Sequence, residues 1–252
     1  MQLIVLGSGS SVPHPKRASS GYWLDAEGGS VLLDCSAAAV HRMAQEGCDW
    51  VELDAIWISH FHLDHCGGLP VYLFGTKHAP ETQGRTKPLR IFGPAGLRKL
   101  IETFDSAYDY GLFRQPFPLE IVEIAAGQKL KMAGMGATFF STPHTDDSHA
   151  IRLEAPSGRS LVYTSDTGYS TNLAVFARDA DVLLIECSFI RETPVKIHLD
   201  ANHIVQMAKF ANAKRIVLTH LYPEWDGREA EAREMLEGLN VEIGFDGMRI
   251  DI

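Results

Sequence analysis

Three observations predict an α/β fold for this chain. Short runs rich in β-branched and aromatic residues, at 55–59, 182–185 and 215–219, read as buried strands. Segments with helical character, at 36–46 and 201–212, stand between such runs. Finally, 252 residues of ordinary globular composition suffice for one large α/β domain with a substantial core, or for two small ones. With no repeats in the solenoid range, no low-complexity run and no linker, residues 1–252 are read as one domain.

Taken in order, residues 3–6 predict the first strand, and the loop Gly7-Ser8-Gly9-Ser10-Ser11-Val12-Pro13 ends it. That loop is not a dinucleotide fingerprint. Val12 stands where a third glycine belongs, and Pro13 and Pro15 prevent a helix from opening there. Residues 22–24 and 30–34 predict two strands joined through Glu27-Gly28-Gly29, a hairpin by its glycine chemistry. Asp34 ends the second and is placed to cap the helix over 36–46, on which His41 reads as a surface residue.

Residues 69–75 continue an apolar segment, and 77–87 are polar and turn-rich. A strand is predicted over 89–92, a turn at Gly93-Pro94, and a helix over 95–104 with Pro94 near its start. Residues 105–118 set Tyr108, Tyr110, Phe113 and Phe117 among few aliphatics, the composition of a lid, an interface loop or a core plug. Further strands fall around Ile121 and Leu130, then over 137–141, 150–154, 160–164, 182–185 and 215–219. Asp200 is the candidate N-cap of the helix over 201–212, and His203 on it reads as structural. A charged helix over 226–237 and strand-like alternation over 241–250 close the chain.

The net charge of −9 argues against broad electrostatic adhesion to nucleic acid or to an anionic membrane, so RNA binding would need a concentrated basic patch. Cys35, Cys48, Cys66 and Cys187 form no C-x-x-C pair and read as small core residues. No stretch approaches eighteen uninterrupted apolar residues, and no basic leader precedes residues 3–6. The expectation is a reduced, cytoplasmic protein with no membrane attachment.

The chemistry concentrates in His60-Phe61-His62-Leu63-Asp64-His65, where the strand over 55–59 emerges into a loop. Side chains at i and i+2 of an extended segment point the same way, so His60 and His62 can converge on one ion. Asp64 and His65 are awkwardly placed to complete the same tetrahedron, which makes a second ion the economical reading. Three imidazoles and a carboxylate suit Zn²⁺, with Mn or Fe as substitutes, and so many ligands in six positions are rare by composition alone.

His-x-His-x-Asp-His after an apolar strand resembles the signature of the metallo-β-lactamase superfamily. The partners that this resemblance implies follow in order: Asp34, His144 in Ser141-Thr142-Pro143-His144, Asp166 in Ser165-Asp166-Thr167-Gly168, and His220 in Leu218-Thr219-His220. The implied fold is a four-layer αβ/βα sandwich with metals at one edge between the sheets. The implied ligand sets are His60, His62 and His144 for one ion and Asp64, His65 and His220 for the other. Asp166 lies between them, because its two oxygens can touch two metals at once. His149 is the rival third histidine. His144 is preferred because Ser148-His149-Ala150-Ile151-Arg152 resembles the continuation that follows the family's ligand. Asp146 and Asp147 then read as solvated loop acids, and Asp34 is expected to orient a metal histidine.

Two further features resemble the ribonuclease Z-like branch: the N-terminal segment 13–20, in which Arg17 can meet a phosphate or stay a solvated charge, and the pair of Glu186 with His198. The implied roles are a glutamate that orients a histidine, and a histidine that donates to the leaving oxygen, with Asp64 steering a metal-bridging hydroxide. Histidine at position 62, where the redox di-iron branch resembles His-x-Glu-x-Asp-His, favours hydrolysis. The leading expectation is therefore a dinuclear phosphodiesterase acting on a small or cyclic phosphodiester. A ribonuclease Z-type tRNA 3′ endoribonuclease is second, because residues 105–118 are too short and lysine-poor to resemble that branch's tRNA-clamping arm. A lactonase or thioesterase, or a non-catalytic relative from coenzyme biosynthesis, completes the alternatives. The family's frequent dimers make a homodimer reasonable.

Overall fold

The computed structural model describes residues 1–252. The first sheet takes β1 (Gln2–Gly7), β2 (Gly21–Ala26), β3 (Gly29–Leu33), β4 (Ala55–Trp57), β5 (Leu89–Pro94) and β6 (Leu119–Ile124). The second takes β7 (Lys129–Met132), β8 (Met135–Ser141), β9 (His149–Glu154), β10 (Ser160–Tyr163), β11 (Val182–Glu186), β12 (Arg215–Thr219) and β13 (Val241–Ile243). The last strand, β14 (Arg249–Asp251), returns to the first sheet beside β1, giving the order β14-β1-β2-β3-β4-β5-β6 against β13-β12-β11-β10-β9-β8-β7. Both sheets are mixed. β3 to β6 are parallel to one another, as are β10 to β13, whereas β14-β1-β2-β3 and β10-β9-β8-β7 pair antiparallel.

Strand alternation builds the layers. Leu3, Val5, Tyr22, Leu24, Val31, Leu33 and Trp57 face Ile151, Leu153, Leu161, Tyr163, Leu184 and Val217 between the sheets. The intervening residues Ile4, Leu6, Trp23, Leu32, Ile56 and Ile58 turn outward beneath α1 (Ala37–Gln45), α3 (Leu69–His78) and α4 (Leu97–Ser106). Val162, Leu183, Ile185, Ile216 and Leu218 do the same beneath α5 (Thr171–Phe176), α6 (Ala201–Ala211) and α7 (Glu229–Met235). The short α2 (Leu63–Cys66) holds the second half of the histidine loop. These layers are the four of an αβ/βα sandwich, and each of β3, β4, β10, β11 and β12 ends at the same edge. No helix is long and apolar enough to cross a membrane.

Several local expectations need correction. The apolar segment at 69–75 is the body of α3, opened by Pro70 in its first turn. The fourth helix starts at Leu97 behind Gly96, whose φ of 96° makes the turn, and Pro94 is the last residue of β5. Ser36, not Asp34, caps α1, its hydroxyl accepting the Ala39 N–H at 3.1 Å. The final alternating run is split between β13 and β14 in different sheets. Leu112 and Phe117 are buried in the outer core of the first sheet, whereas Tyr108 and Tyr110 are exposed.

Candidate metal centre

Four strand ends deliver the candidate ligands to one place. His60 follows β4, His62 caps α2, Asp64 and His65 lie within α2, Asp166 follows β10 and His220 follows β12; His144 stands in the loop between β8 and β9. Ser165 and His220 have φ of 57° and 56°, and Asp34 has 57°, so three strands end here in left-handed residues that are not glycine. Gly68 lets the ligand loop close on α1, because a β-carbon there would stand 2.3 Å from the Ser36 carbonyl oxygen.

The candidate ligand atoms fall into three overlapping groups, the two expected and a third of Asp166, His198 and His220. His60, His62, His144 and Asp166 form one, and Asp64, His65 and His220 another, with Asp166 within reach of both. Two donors about 2.0–2.1 Å from one tetrahedral ion stand about 3.3 Å apart. His144 Nε2 is 3.1 Å from His62 Nδ1, His65 Nε2 is 3.3 Å from Asp166 Oδ1, and His220 Nε2 is 3.2 Å from Asp166 Oδ2 and 3.4 Å from Asp64 Oδ2. His60 and His144 approach Asp166 Oδ2 to 3.9 and 3.7 Å. His60 Nε2, His65 Nε2 and Asp166 Oδ1 are buried without a hydrogen-bond partner, a situation that native interiors avoid unless something else satisfies them. The donor set and its spacing fit a pair of divalent cations.

What turns these nitrogens inward is a pair of buried carboxylates, one from each sheet. Asp34 Oδ2 accepts His65 Nδ1–H at 2.7 Å and Ser59 Oγ–H at 2.9 Å; the serine oxygen in turn accepts His60 Nδ1–H at 3.0 Å. Glu186 repeats the scheme. Its Oε1 accepts His198 Nδ1–H at 2.9 Å, its Oε2 accepts Ser188 Oγ–H at 2.7 Å, and Ser188 Oγ accepts His220 Nδ1–H at 3.1 Å. Each acid orients one imidazole directly and a second through a serine, leaving the Nε2 lone pairs of His60, His65 and His220 facing the cluster. Asp34 also accepts Tyr163 O–H at 2.7 Å, which ties the sheets together. The His144 ring is set by its Nδ1–H on Ile197 O at 3.0 Å.

Electrostatics in the metal-free site follow from the packing. Burial, reinforced by the neighbouring His65, holds His60 well below the usual imidazole range. Burial also opposes charge on His65 and Asp166, but the attraction between these two, aided by Asp34 on one side and His220 on the other, wins: His65 is raised and Asp166 lowered. For His198 the burial penalty is outweighed by the Glu186 hydrogen bond, which raises its pKa. The ring lies 4.9 Å from His144 and 5.3 Å from His220, at the rim of the cluster.

His149 is kept apart, its Nδ1–H bonded to Asp147 O at 2.8 Å, and His203 closes a capping box with Asp200. Asp147 departs from its expected role: Oδ2 accepts the Phe61 N–H at 2.9 Å, across the site. No local pattern marks this role, nor those of Ser59, Ser188 and Tyr163, whose partners are fixed by tertiary contact. Arg17 is drawn into the protein, donating to Gly244 O at 3.3 Å, with Asp226 and Glu229 3.9 and 3.8 Å away. It lines an 820 Å³ cleft that reaches His62 and Asp64.

Known proteins resemble this chain in different degrees. The family model described as Anti-Pycsar protein Apyc1 matches residues 1–237. A ribonuclease Z of Methanosarcina acetivorans is 26% identical over 273 residues, covering 88% of this chain and 87% of that protein. The crystal structure of the metallo-β-lactamase fold protein YhfI from Bacillus subtilis superposes with a TM-score of 0.81 at 24% identity, covering 99% of this chain and 98% of that one. A diphosphatase from the PhnP family superposes with a TM-score of 0.77 at 20% identity, covering 100% and 97%.

Proposed function

The chain belongs to the family described as Anti-Pycsar protein Apyc1 and has the metallo-β-lactamase fold, and from that starting point we propose that it hydrolyses a small or cyclic phosphodiester. The coarse activity, a hydrolase of this fold with a His/Asp metal site, needs no further step. The finer reading is carried by the buried Glu186–His198 pair, 2.9 Å apart at the cluster's rim. A phosphodiester must expel an alkoxide that needs a proton, and His198 stands at the rim to give one; a thioester, whose thiolate leaves unaided, has no need of such a donor.

His60, His62 and His144 would hold one cation, Asp64, His65 and His220 the other, and Asp166 both. Such a pair, when bound, lowers the pKa of water toward neutrality and neutralises charge on the phosphoryl group. The chain's own residues do the rest. Asp64, at the opening of α2, orients the attacking water and receives its proton. Glu186 fixes the His198 ring by holding Nδ1–H, which leaves Nε2 to present a proton to the departing oxygen. Burial of the cluster excludes bulk water and strengthens each of these contacts.

The curated ribonuclease Z relative supports phosphodiester chemistry, and the PhnP-family diphosphatase supports a small substrate. Against a tRNA substrate stand the net charge of −9 and the short, lysine-free segment 105–118. His198→Ala is expected to lower turnover of a cyclic nucleotide, whose leaving group is an alkoxide, by roughly 10²–10⁴-fold, and that of bis-p-nitrophenyl phosphate, whose phenolate leaves unaided, far less, while metal content stays near two per chain. Unchanged turnover of the cyclic nucleotide removes the donor role. Lactones and thioesters run in parallel distinguish a carbonyl hydrolase, and a chain that binds one ion or none points to a non-catalytic relative.

A further inference from the structure

The loop that carries His144 is stitched to the loop that carries His60 and His62 by two rungs. His149 N–H donates to Ser59 O at 3.1 Å, and Phe61 N–H donates to Asp147 Oδ2 at 2.9 Å. Phe61 is the residue between the two histidines. The loop is itself closed. Thr142 N–H reaches Ser148 O at 3.0 Å, Ser148 N–H reaches Thr145 O at 3.1 Å, and the Thr145 and Ser148 hydroxyls meet at 2.8 Å. His60 is held through Ser59 and His144 through Ile197, but the exposed His62 ring, edge-on to His60 at 4.6 Å, has only His144 Nε2, 3.1 Å away, within hydrogen-bond reach. Its position is therefore set by the backbone on which it stands, and Asp147 grips that backbone.

We propose that Asp147 is a positioning residue for the first ion. By holding the Phe61 amide, it fixes the spacing between the His60–His62 segment and the His144 loop, so that three imidazoles face one point before a cation arrives. The inference rests on the two-ion reading above. A carboxylate is suited to the task because its hydrogen bond to a backbone N–H is charge-assisted, and because its other oxygen stays free to be solvated. Lys, Ser or Ala at this position would leave the amide to water and let the two loops separate. Residues that brace metal ligands from behind typically contribute about 10–100-fold in metal affinity.

The test is a titration of the metal-free full-length chain with Zn²⁺ against a chromophoric chelator. It compares wild type, Asp147→Ala, Asp147→Asn, His62→Ala and the double variant Asp147→Ala/His62→Ala. Asp147→Ala is expected to weaken one of two ions by roughly 10–100-fold and to leave the other nearly unchanged. Asp147→Asn keeps an acceptor oxygen and should recover most of the loss. In the His62→Ala background, removing Asp147 should add little. Two unchanged affinities overturn the proposal, as do two affinities that fall together or a failure of asparagine to recover. Should the alanine variant not fold, Asp147→Ser, whose hydroxyl is too short to hold the Phe61 amide, takes its place: loss of one ion supports the proposal, and two affinities near wild type overturn it. A wild-type chain that takes up fewer than two ions fails before Asp147 is touched, which removes the two-ion reading and this inference with it.

Discussion

Replacing Glu186 by glutamine tests how much of the second sheet's edge hangs on one buried charge. The carboxylate is fully buried and receives five donors. Thr167 N–H at 2.7 Å and His198 Nδ1–H at 2.9 Å reach Oε1, while Ser188 Oγ–H at 2.7 Å, Leu199 N–H at 3.2 Å and Ser188 N–H at 3.3 Å reach Oε2. A glutamine of the same shape has one acceptor oxygen and one amide nitrogen. Turned either way, its NH₂ faces a backbone N–H that cannot reverse: Thr167 on one side, Ser188 and Leu199 on the other. The milder orientation sets it against Thr167, with His198 changing tautomer to accept. Losing one charge-assisted bond and leaving two donors in opposition costs about 2–4 kcal/mol, and the bonds retained by the neutral oxygen weaken further. Urea unfolding of the metal-free proteins, followed by circular dichroism, should show that loss. In a His198→Ala background the penalty should shrink by no more than about 1 kcal/mol, since the histidine is one partner of five. A glutamine variant within about 1 kcal/mol of wild type would refute the picture of an acid held by opposed, immovable donors.

Two more outcomes follow from the same reasoning. Tyr163→Phe removes the O–H that crosses between the sheets to Asp34 at 2.7 Å, so calorimetry or urea melts should register a loss of about 1.5–3 kcal/mol while metal stoichiometry stays the same. Burial works against charge on Asp181, but Lys214 Nζ at 2.8 Å, Ser160 N–H at 2.8 Å and Arg159 lower its pKa to about 2. A fall from 3.8 to about 2 is worth about 2.4 kcal/mol at full strength; both cations are more than half exposed, so screening leaves about 1 kcal/mol. Because the folded state lowers this pKa, the stabilisation is present above the unfolded value near 3.8 and is lost as pH falls through about 2. Asp181→Asn should therefore be less stable at neutral pH and should lose part of the acid-limb slope in a pH series of urea melts.

The candidate ligands are legible because His60, His144, Asp166 and His220 each stand just beyond an apolar run of strand length, and a strand end is where such a fold exposes polar groups. The braces were harder to see. Ser59 and Ser188 are ordinary loop residues until Asp34 and Glu186 turn their hydroxyls, and Asp147 beside Asp146 has the composition of solvated loop acid. Asp34 looked able to cap a helix because its position relative to 36–46 allowed it; Ser36, two residues on, has the cap geometry instead. The third helix escaped notice because Val71 and Phe74 are exposed on its outer face, so its apolar residues follow no single stripe. The alternation over 241–250 is the same whichever sheet takes it, and pattern alone could not divide it.

Asp34, Ser165 and His220 all hold left-handed torsions at strand ends. Such conformations cost of order 1–3 kcal/mol each when the residue is not glycine, so the edge that gathers the ligands is also a store of tension. At His220 the candidate ligand ring and the strained backbone belong to one residue. Alanine there discards the ring and keeps the strain; glycine discards both and should be the more stable of the two variants. For this protein, foldedness and usefulness pull against each other at a single α-carbon.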